Sequence, residues 1–257
     1  MDPSLAQLSL LALPGLPEVR SGDDLCGAIA AGLRAAGQTL RDGDVVVLAQ
    51  KIVSKAEGRM VSLAEVDPSD RARELARQSG KDPRLVELVL RESNAVLRCR
   101  PGVIVVEHRL GFVMANAGID QSNVEQEGDG VALLLPLDPD ASCDGLRATL
   151  RAATGADVAV LIIDSHGRAW RQGTVGVAIG ASGMPALLDL RGRPDRHGRP
   201  LFVTEVGLAD EVAAAASLLM GQAGEGRPVI LVRGVPGVPG TGRARDLIRP
   251  RATDLFR

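Results

Sequence analysis

Four stretches of the chain hold residue types that could do chemistry together. In Ala115-Asn116-Ala117-Gly118-Ile119-Asp120-Gln121-Ser122-Asn123 an apolar run gives way to small residues and then to Asp120, Ser122 and Asn123. Oxygen donors crowded into one loop are what hard divalent cations such as Mg2+ and Mn2+ select, one or two carboxylates being completed by phosphate oxygens and water. An Asx turn around a satisfied Asp accounts for the same residues. Leu161-Ile162-Ile163-Asp164-Ser165-His166-Gly167-Arg168 repeats the pattern, an apolar strand ending in a carboxylate followed by a hydroxyl and a glycine. Sites gather at the carboxyl ends of strands, so Asp120 and Asp164 could share one cation or a pair. Arg168 and Arg171 could then face phosphate oxygens. A cap, or an ion pair from Asp164 to Arg168, is the plainer alternative.

The third stretch, Gln50-Lys51-Ile52-Val53-Ser54-Lys55-Ala56-Glu57-Gly58-Arg59, follows the apolar run Val45 to Leu48 and sets two ammonium groups four residues apart. Lysines so placed can hold phosphates as point charges, and a solvated basic turn has the same composition. The fourth is Gln222-Ala223-Gly224-Glu225-Gly226-Arg227-Pro228, which follows Gly221. Its glycines let backbone approach a ligand, although a helix cap explains Gly221 equally well. The familiar phosphate and metal signatures are missing: there is no GxxxxGK[ST], no GxGxxG after a strand, no HExxH and no GxSxG. His108, His166 and His197 are too far apart for a local zinc signature, and each reads as a surface or core histidine.

The elements that must position these residues follow from periodicity and punctuation. Leu25, Ile29 and Leu33 recur at i, i+4 and i+8, which predicts a helix over 21–37. Val45 to Leu48 predicts a strand covered on both faces. Helices are expected over 69–78 and 82–91, the second with Asp82 as cap and Pro83 at the first helical position. Short apolar runs at 95–97, 103–106, 112–115 and 131–135 predict a strand-rich region. A helix over 138–153, strands over 158–163 and 174–179, an Ala-rich helix over 208–220 and a strand over 229–232 complete the reading. The order is neither strict strand–helix alternation nor segregated, so the expected class is mixed α+β.

Composition sets the outer limits. In 257 residues, 45% are hydrophobic and 24% charged, which excludes general disorder. The net charge is −2, and the aromatics are Phe112, Phe202, Phe256 and Trp170 with no Tyr, so a stacking groove for nucleic acid is not expected. Cys26, Cys99 and Cys143 are odd in number and lack any CxxC, as in a reduced cytoplasmic protein. No apolar stretch approaches the roughly 20 residues of a membrane span, and no charged leader precedes the first apolar patch.

Taken in order, these stretches resemble the coenzyme F420-0:γ-glutamyl ligase family, which acts on a deazaflavin coenzyme precursor. The resemblance rests on Leu16-Pro17-Glu18, Gly22-Asp23-Asp24-Leu25, Lys51 to Arg59, Ala115 to Asn123, Leu135-Pro136 with Asp138-Pro139-Asp140, and Gly167-Arg168 with Trp170-Arg171 and Gly173. It continues through Ala178-Ile179-Gly180, Arg191-Gly192 with Asp195, Ala209-Asp210-Glu211 and Met220-Gly221-Gln222. Each motif is weak alone, and their order and spacing carry the likeness. It implies a mixed-sheet, two-lobed α+β fold over residues 1–240 and a homodimer; residues 241–257 read by composition as an Arg-rich tail whose arginines contact an acidic partner or, the plainer reading, stay solvated.

The resemblance also implies chemistry: GTP-dependent ligation in which the precursor's carboxylate is activated as an acyl phosphate and captured by the amine of L-glutamate. GTP, Mg2+ or Mn2+, and K+ as a further ion, are the implied cofactors. Asp120, Asp164, Ser165 and Gln222 become the expected metal ligands, with a hydroxyl retained at Ser165 where the family usually has Thr. Asp120, Asp164 and Lys55 become the expected catalytic residues. Leu16, Pro17, Glu18, Val19, Gln50, Lys51, Lys55 and Asn123 would line the nucleotide site with Met220, Gly221, Gln222, Ala223, Gly224, Glu225, Gly226 and Arg227. Two other readings of the same residues are a metal-dependent nucleotide phosphotransferase and a nucleotide-binding regulator without turnover.

Overall fold

The computed structural model describes residues 7–121, 130–236 and 240–254. In chain order the elements are β1 (Ser9–Ala12), α1 (Leu25–Ala35), β2 (Val45–Ala49), α2 (Gln50–Ala56), β3 (Met60–Ser62), α3 (Asp70–Ser79) and α4 (Pro83–Arg91). Next come β4 (Ser93–Arg100), β5 (Val103–His108), β6 (Val113–Ala115), β7 (Val131–Leu133), α5 (Pro139–Thr154) and β8 (Ala159–Arg168). The chain continues with β9 (Arg171–Ser182), β10 (Leu188–Asp189), β11 (Glu205–Val206), α6 (Leu208–Met220) and β12 (Val229–Arg233). The fold is mixed α+β.

The main sheet has the order β1-β12-β2-β8-β9. Only β2 and β8 run parallel, with Val45 opposite Ala159 and Ala49 opposite Ile163, and every other pairing is antiparallel. The period of two in a strand sends alternate residues to opposite faces. Val46, Leu48, Val160 and Ile162 therefore turn to one side, where Ile29 and Leu33 of α1 and Leu150 of α5 cover them. Val45, Val47, Leu161 and Ile163 turn to the other, under Val212, Ala213 and Ala216 of α6. Each such buried aliphatic side chain contributes about 1.5–3 kcal/mol, which is why the continuous apolar run of β2 suits an inner strand. The helices come close because β9 offers no side chain at two points. A Cβ on Gly180 would meet the Pro139 carbonyl oxygen of α5 at 2.4 Å, and one on Gly176 would meet that of Ala213 in α6 at 2.6 Å.

A second lobe packs α3 and α4 against the sheet β4-β5-β6, with Leu75, Val86, Val89, Ile104 and Val106 at its centre. Its helices start as the sequence predicts: Ser69 Oγ accepts from Ala72 N at 3.2 Å, and Asp82 Oδ1 from Arg84 N at 2.8 Å with Pro83 at the first helical position. Glu92, just after α4, links this lobe to its surroundings by accepting from Arg59 Nη2 at 3.1 Å and Arg109 Nε at 3.0 Å, with His108 Nε2 at 3.6 Å.

Three expectations change. The Gln50 to Arg59 stretch is no basic turn: its first seven residues form α2 directly after β2. The strand ending at Ile163 runs on to Arg168, as half of a long hairpin with β9. The Arg-rich segment is no free tail where it is described, being anchored at its start, although Arg245, Arg249 and Arg251 remain exposed. Asp140, 5% exposed, accepts from Ala181 N and Ala244 N at 2.9 Å each and from Arg245 Nε at 3.1 Å, while Arg243 pairs with Asp144 at 2.5 Å.

Candidate functional site

The register of the parallel pair decides where the carboxylates go. β2 ends opposite Ile163, so Asp164 and Ser165 are the first residues of β8 beyond the carboxyl end of its neighbour. At that point the chain of β2 turns into α2, which carries Gln50, Lys51 and Lys55 away from the same edge. On the other flank β12 pairs with β2 from Val229 opposite Leu48, and the Pro228 carbonyl accepts from Ala49 N at 2.8 Å. The loop that leaves α6 at Gly221 therefore arrives at this edge too. Around it is a cavity of about 350 Å³.

The cavity gathers segments that are remote in sequence. Leu16, Pro17, Glu18 and Val19 form one wall and Gln50, Lys51 and Lys55 another. Asp164 and Ser165 lie at its base, and Met220, Gly221, Gln222, Ala223, Gly224, Gly226 and Arg227 close the far side. Glu225 points back into its own loop, where Oε2 accepts from Ala223 N at 2.8 Å. Asp120 belongs to the second lobe and is held by a two-way backbone bridge, Asp120 N to Leu133 O at 3.0 Å and Leu133 N to Asp120 O at 2.8 Å. It is not among the residues lining the cavity, and it pairs with one that is, Lys51, whose Nζ is 2.6 Å from Asp120 Oδ2. Asn123 lies outside the described residues. Arg168 and Arg171 sit out along the hairpin and are not among the cavity's lining.

The local contacts set the donor chemistry. Ser165 Oγ donates to Gln222 Oε1 at 2.6 Å, bringing a hydroxyl and an amide oxygen together in a cavity that Asp164 also lines. Lys55, 8% exposed, pairs with Glu18, and Ser54 Oγ donates to the buried Gln50 Oε1 at 2.8 Å. Among the described residues no group of three or more His, Cys, Asp and Glu side chains is close enough to hold a metal ion. One or two carboxylates with neutral oxygens is nevertheless the set that suits Mg2+ or Mn2+, which keep water and take phosphate oxygens alongside few protein ligands. The donors at Asp164, Ser165 and Gln222 fit that requirement, and they do not fit a nitrogen- or sulfur-liganded zinc.

Some pairings among these residues were not legible in the sequence. Glu18 is 37 residues from Lys55, and no local spacing relates them. His166, expected as an ordinary surface or core histidine, has a side chain 10% exposed with Nε2 3.4 Å from Asp164 Oδ2. The i, i+2 spacing on one strand face was the available signal.

Comparison with known proteins establishes the family. Residues 15–234 match the F420-0:Gamma-glutamyl ligase family. The chain belongs to that family. Among curated relatives it is 48% identical over 252 residues to the coenzyme F420:L-glutamate ligase of Methanothermobacter thermautotrophicus, covering 97% of this chain and 99% of the relative. It is 46% identical to the enzyme of that name from Methanopyrus kandleri, covering 98% and 99%, and 44% identical to that from Archaeoglobus fulgidus, covering 98% and 97%. Every wall of the cavity falls within the stretch matched to the F420-0:γ-glutamyl ligase family. No helix among the described residues is long and apolar enough to cross a membrane.

Proposed function

We propose that the chain is a GTP- and divalent-metal-dependent ligase that joins the amine of L-glutamate by an amide bond to the carboxylate of coenzyme F420-0 or a close precursor, the bond being γ-glutamyl where that carboxylate is the γ-carboxyl of a glutamate already added. Family membership supports the ligase class and its two substrates. The observation that carries the nucleotide part is one cavity gathering Lys51 and Lys55, a glycine-bearing loop, and the oxygens of Asp164, Ser165 and Gln222.

A triphosphate brings roughly four negative charges, which must be screened before a carboxylate can approach phosphorus. Lys51 and Lys55 take the phosphates as point charges, leaving their present partners Asp120 and Glu18 to re-pair. Gly221, Gly224 and Gly226 let backbone approach the nucleotide closely. Mg2+ or Mn2+, held by Asp164, Ser165 and Gln222 with Asp120 from the second lobe, would neutralise the polyphosphate and orient its terminal group. The precursor's carboxylate oxygen attacks the γ-phosphorus, the bond to the β–γ bridging oxygen breaks, and GDP leaves. The glutamate amine then attacks the acyl carbon, the carbon–oxygen bond to phosphate breaks, and the amine's proton is lost as inorganic phosphate departs. Holding acyl phosphate and amine together supplies much of the second step, since effective molarities can reach ~10⁵ M. A homodimer and a cytoplasmic setting belong to the same proposal.

Mass spectrometry of a reaction with F420-0, GTP, Mg2+ and L-glutamate tests it. The expected products are a glutamyl adduct, GDP and phosphate. Phosphoryl transfer without an adduct would favour the phosphotransferase, and nucleotide binding without phosphate release would favour the regulator.

A further inference from the structure

A second cavity of about 370 Å³ lies directly behind Asp164. His166 lines it, and His166 Nε2 is the atom 3.4 Å from Asp164 Oδ2, so one side-chain contact separates this space from the base of the nucleotide cavity. Its walls are mainly apolar, with Phe112, Val177, Leu247 and Ile248 among them, and Phe112 meets the His166 ring edge to face at 6.2 Å. An apolar cavity of this size with a few convergent polar groups is the usual form of a small-molecule site.

The polar groups have both signs. Asp210, in the first turn of α6, lines the cavity and accepts from Ala178 N at 2.9 Å; burial pushes its carboxyl above the ordinary range, against the Ala178 hydrogen bond and the nearby His166. Arg249 enters from the docked C-terminal segment. The nine-tenths buried His166 has no hydrogen-bond partner at Nε2, although a buried polar atom normally finds one. A polyanion in this space would face Asp210 and Asp254, a cation would face Arg249, and a purely apolar ligand would meet none of these charges.

We propose that this second cavity is the site of the incoming amino acid, a zwitterion whose ammonium faces Asp210, whose carboxylates face Arg249 and His166, and whose methylenes lie on the apolar walls. The assignment rests on the ligase reading above, and it sets the amino acid against His166, whose Nε2 contacts Asp164 of the first cavity.

Kinetics in each substrate tests it with Asp210→Asn and Arg249→Gln. Both should raise the KM for L-glutamate at least about tenfold, as loss of a charge-assisted contact does, with the KM values for GTP and for the acid substrate unchanged. No change in any KM, or a rise confined to the acid substrate, overturns the assignment. Arg249 is exposed, so Arg249→Gln decides the matter if Asp210→Asn fails to fold. Failure of the ligase reading itself would appear as a wild type that makes no glutamyl product. Calorimetric titration of L-glutamate, with GDP and Mg2+ present, then still reads the cavity. Binding that Arg249→Gln weakens supports the proposal, and no binding, or equal binding by both proteins, overturns it.

Discussion

Lys51 Nζ and Asp120 Oδ2 lie 2.6 Å apart across the boundary between the two lobes, the lysine on a cavity wall and the aspartate on a bridge to β7. The pair sets a carboxylate of the second lobe against a lysine of the cavity wall. Replacing either strategic carboxylate by its amide keeps the shape and removes one charge. Asp120→Asn and Asp164→Asn should each lower GDP release at least about 100-fold while the melting temperature stays near that of the wild type. Full activity in either variant would refute its assignment as a metal ligand.

Lys55 is buried while its partner Glu18 is largely exposed, so truncating the lysine leaves an acid that water can solvate. Lys55→Ala should therefore fold and weaken GTP binding at least about tenfold. Isothermal titration checks this, and unchanged affinity would remove Lys55 from the phosphate site.

Glu92 gives the fold an acid-sensitive joint. Burial alone would raise its pKa, but His108 and Arg109 facing the carboxylate, with the charges of Arg109 and Arg59, carry it down to about 2. A carboxylate depressed in the folded state stabilises above its ordinary pKa and loses that contribution as pH falls through the folded value. Glu92→Gln should be clearly less stable than the wild type near neutrality, and the gap should close as the pH drops toward about 2. Urea denaturation across that range measures it, and a gap independent of pH would contradict the account.

Asp140 secures the C-terminal segment by accepting two backbone N–H groups and a guanidinium from an almost fully buried position. Asp140→Ala should cost about 2–4 kcal/mol, because it orphans buried donors as well as removing a charge-assisted contact. Equilibrium unfolding gives the value, and a loss below about 0.5 kcal/mol, typical of surface changes, would mean the segment is held elsewhere.

Much of the framework could be read directly from residue order. The apolar run at Val45, the Asp82-Pro83 start of α4 and the Ala-rich run of α6 are signals carried by neighbouring residues, and they reappear with ends shifted by a residue or so. β1 was not legible, since four residues beside a Leu-rich terminus have no period long enough to separate strand from coil. Nor was α2, whose helical form is set by its place between β2 and the cavity and not by a cap, Ala49 offering none. The site behaved likewise. Asp164-Ser165 and the lysines announce themselves by type, and His166 beside Asp164 by its i, i+2 spacing on one strand, whereas the pairing of Glu18 with Lys55 comes from packing alone.

The first strand of the main sheet has its partner near the far end of the chain, Ala12 opposite Ile230, and the nucleotide cavity is likewise closed by residues 16–19 and 220–228. Contacts so distant in sequence can form only after the intervening polypeptide exists, and such topologies fold slowly. During synthesis on the ribosome, the growing chain accordingly spends most of its time without a completed pocket, so a ligand of that pocket cannot chaperone early intermediates and rewards only the finished molecule.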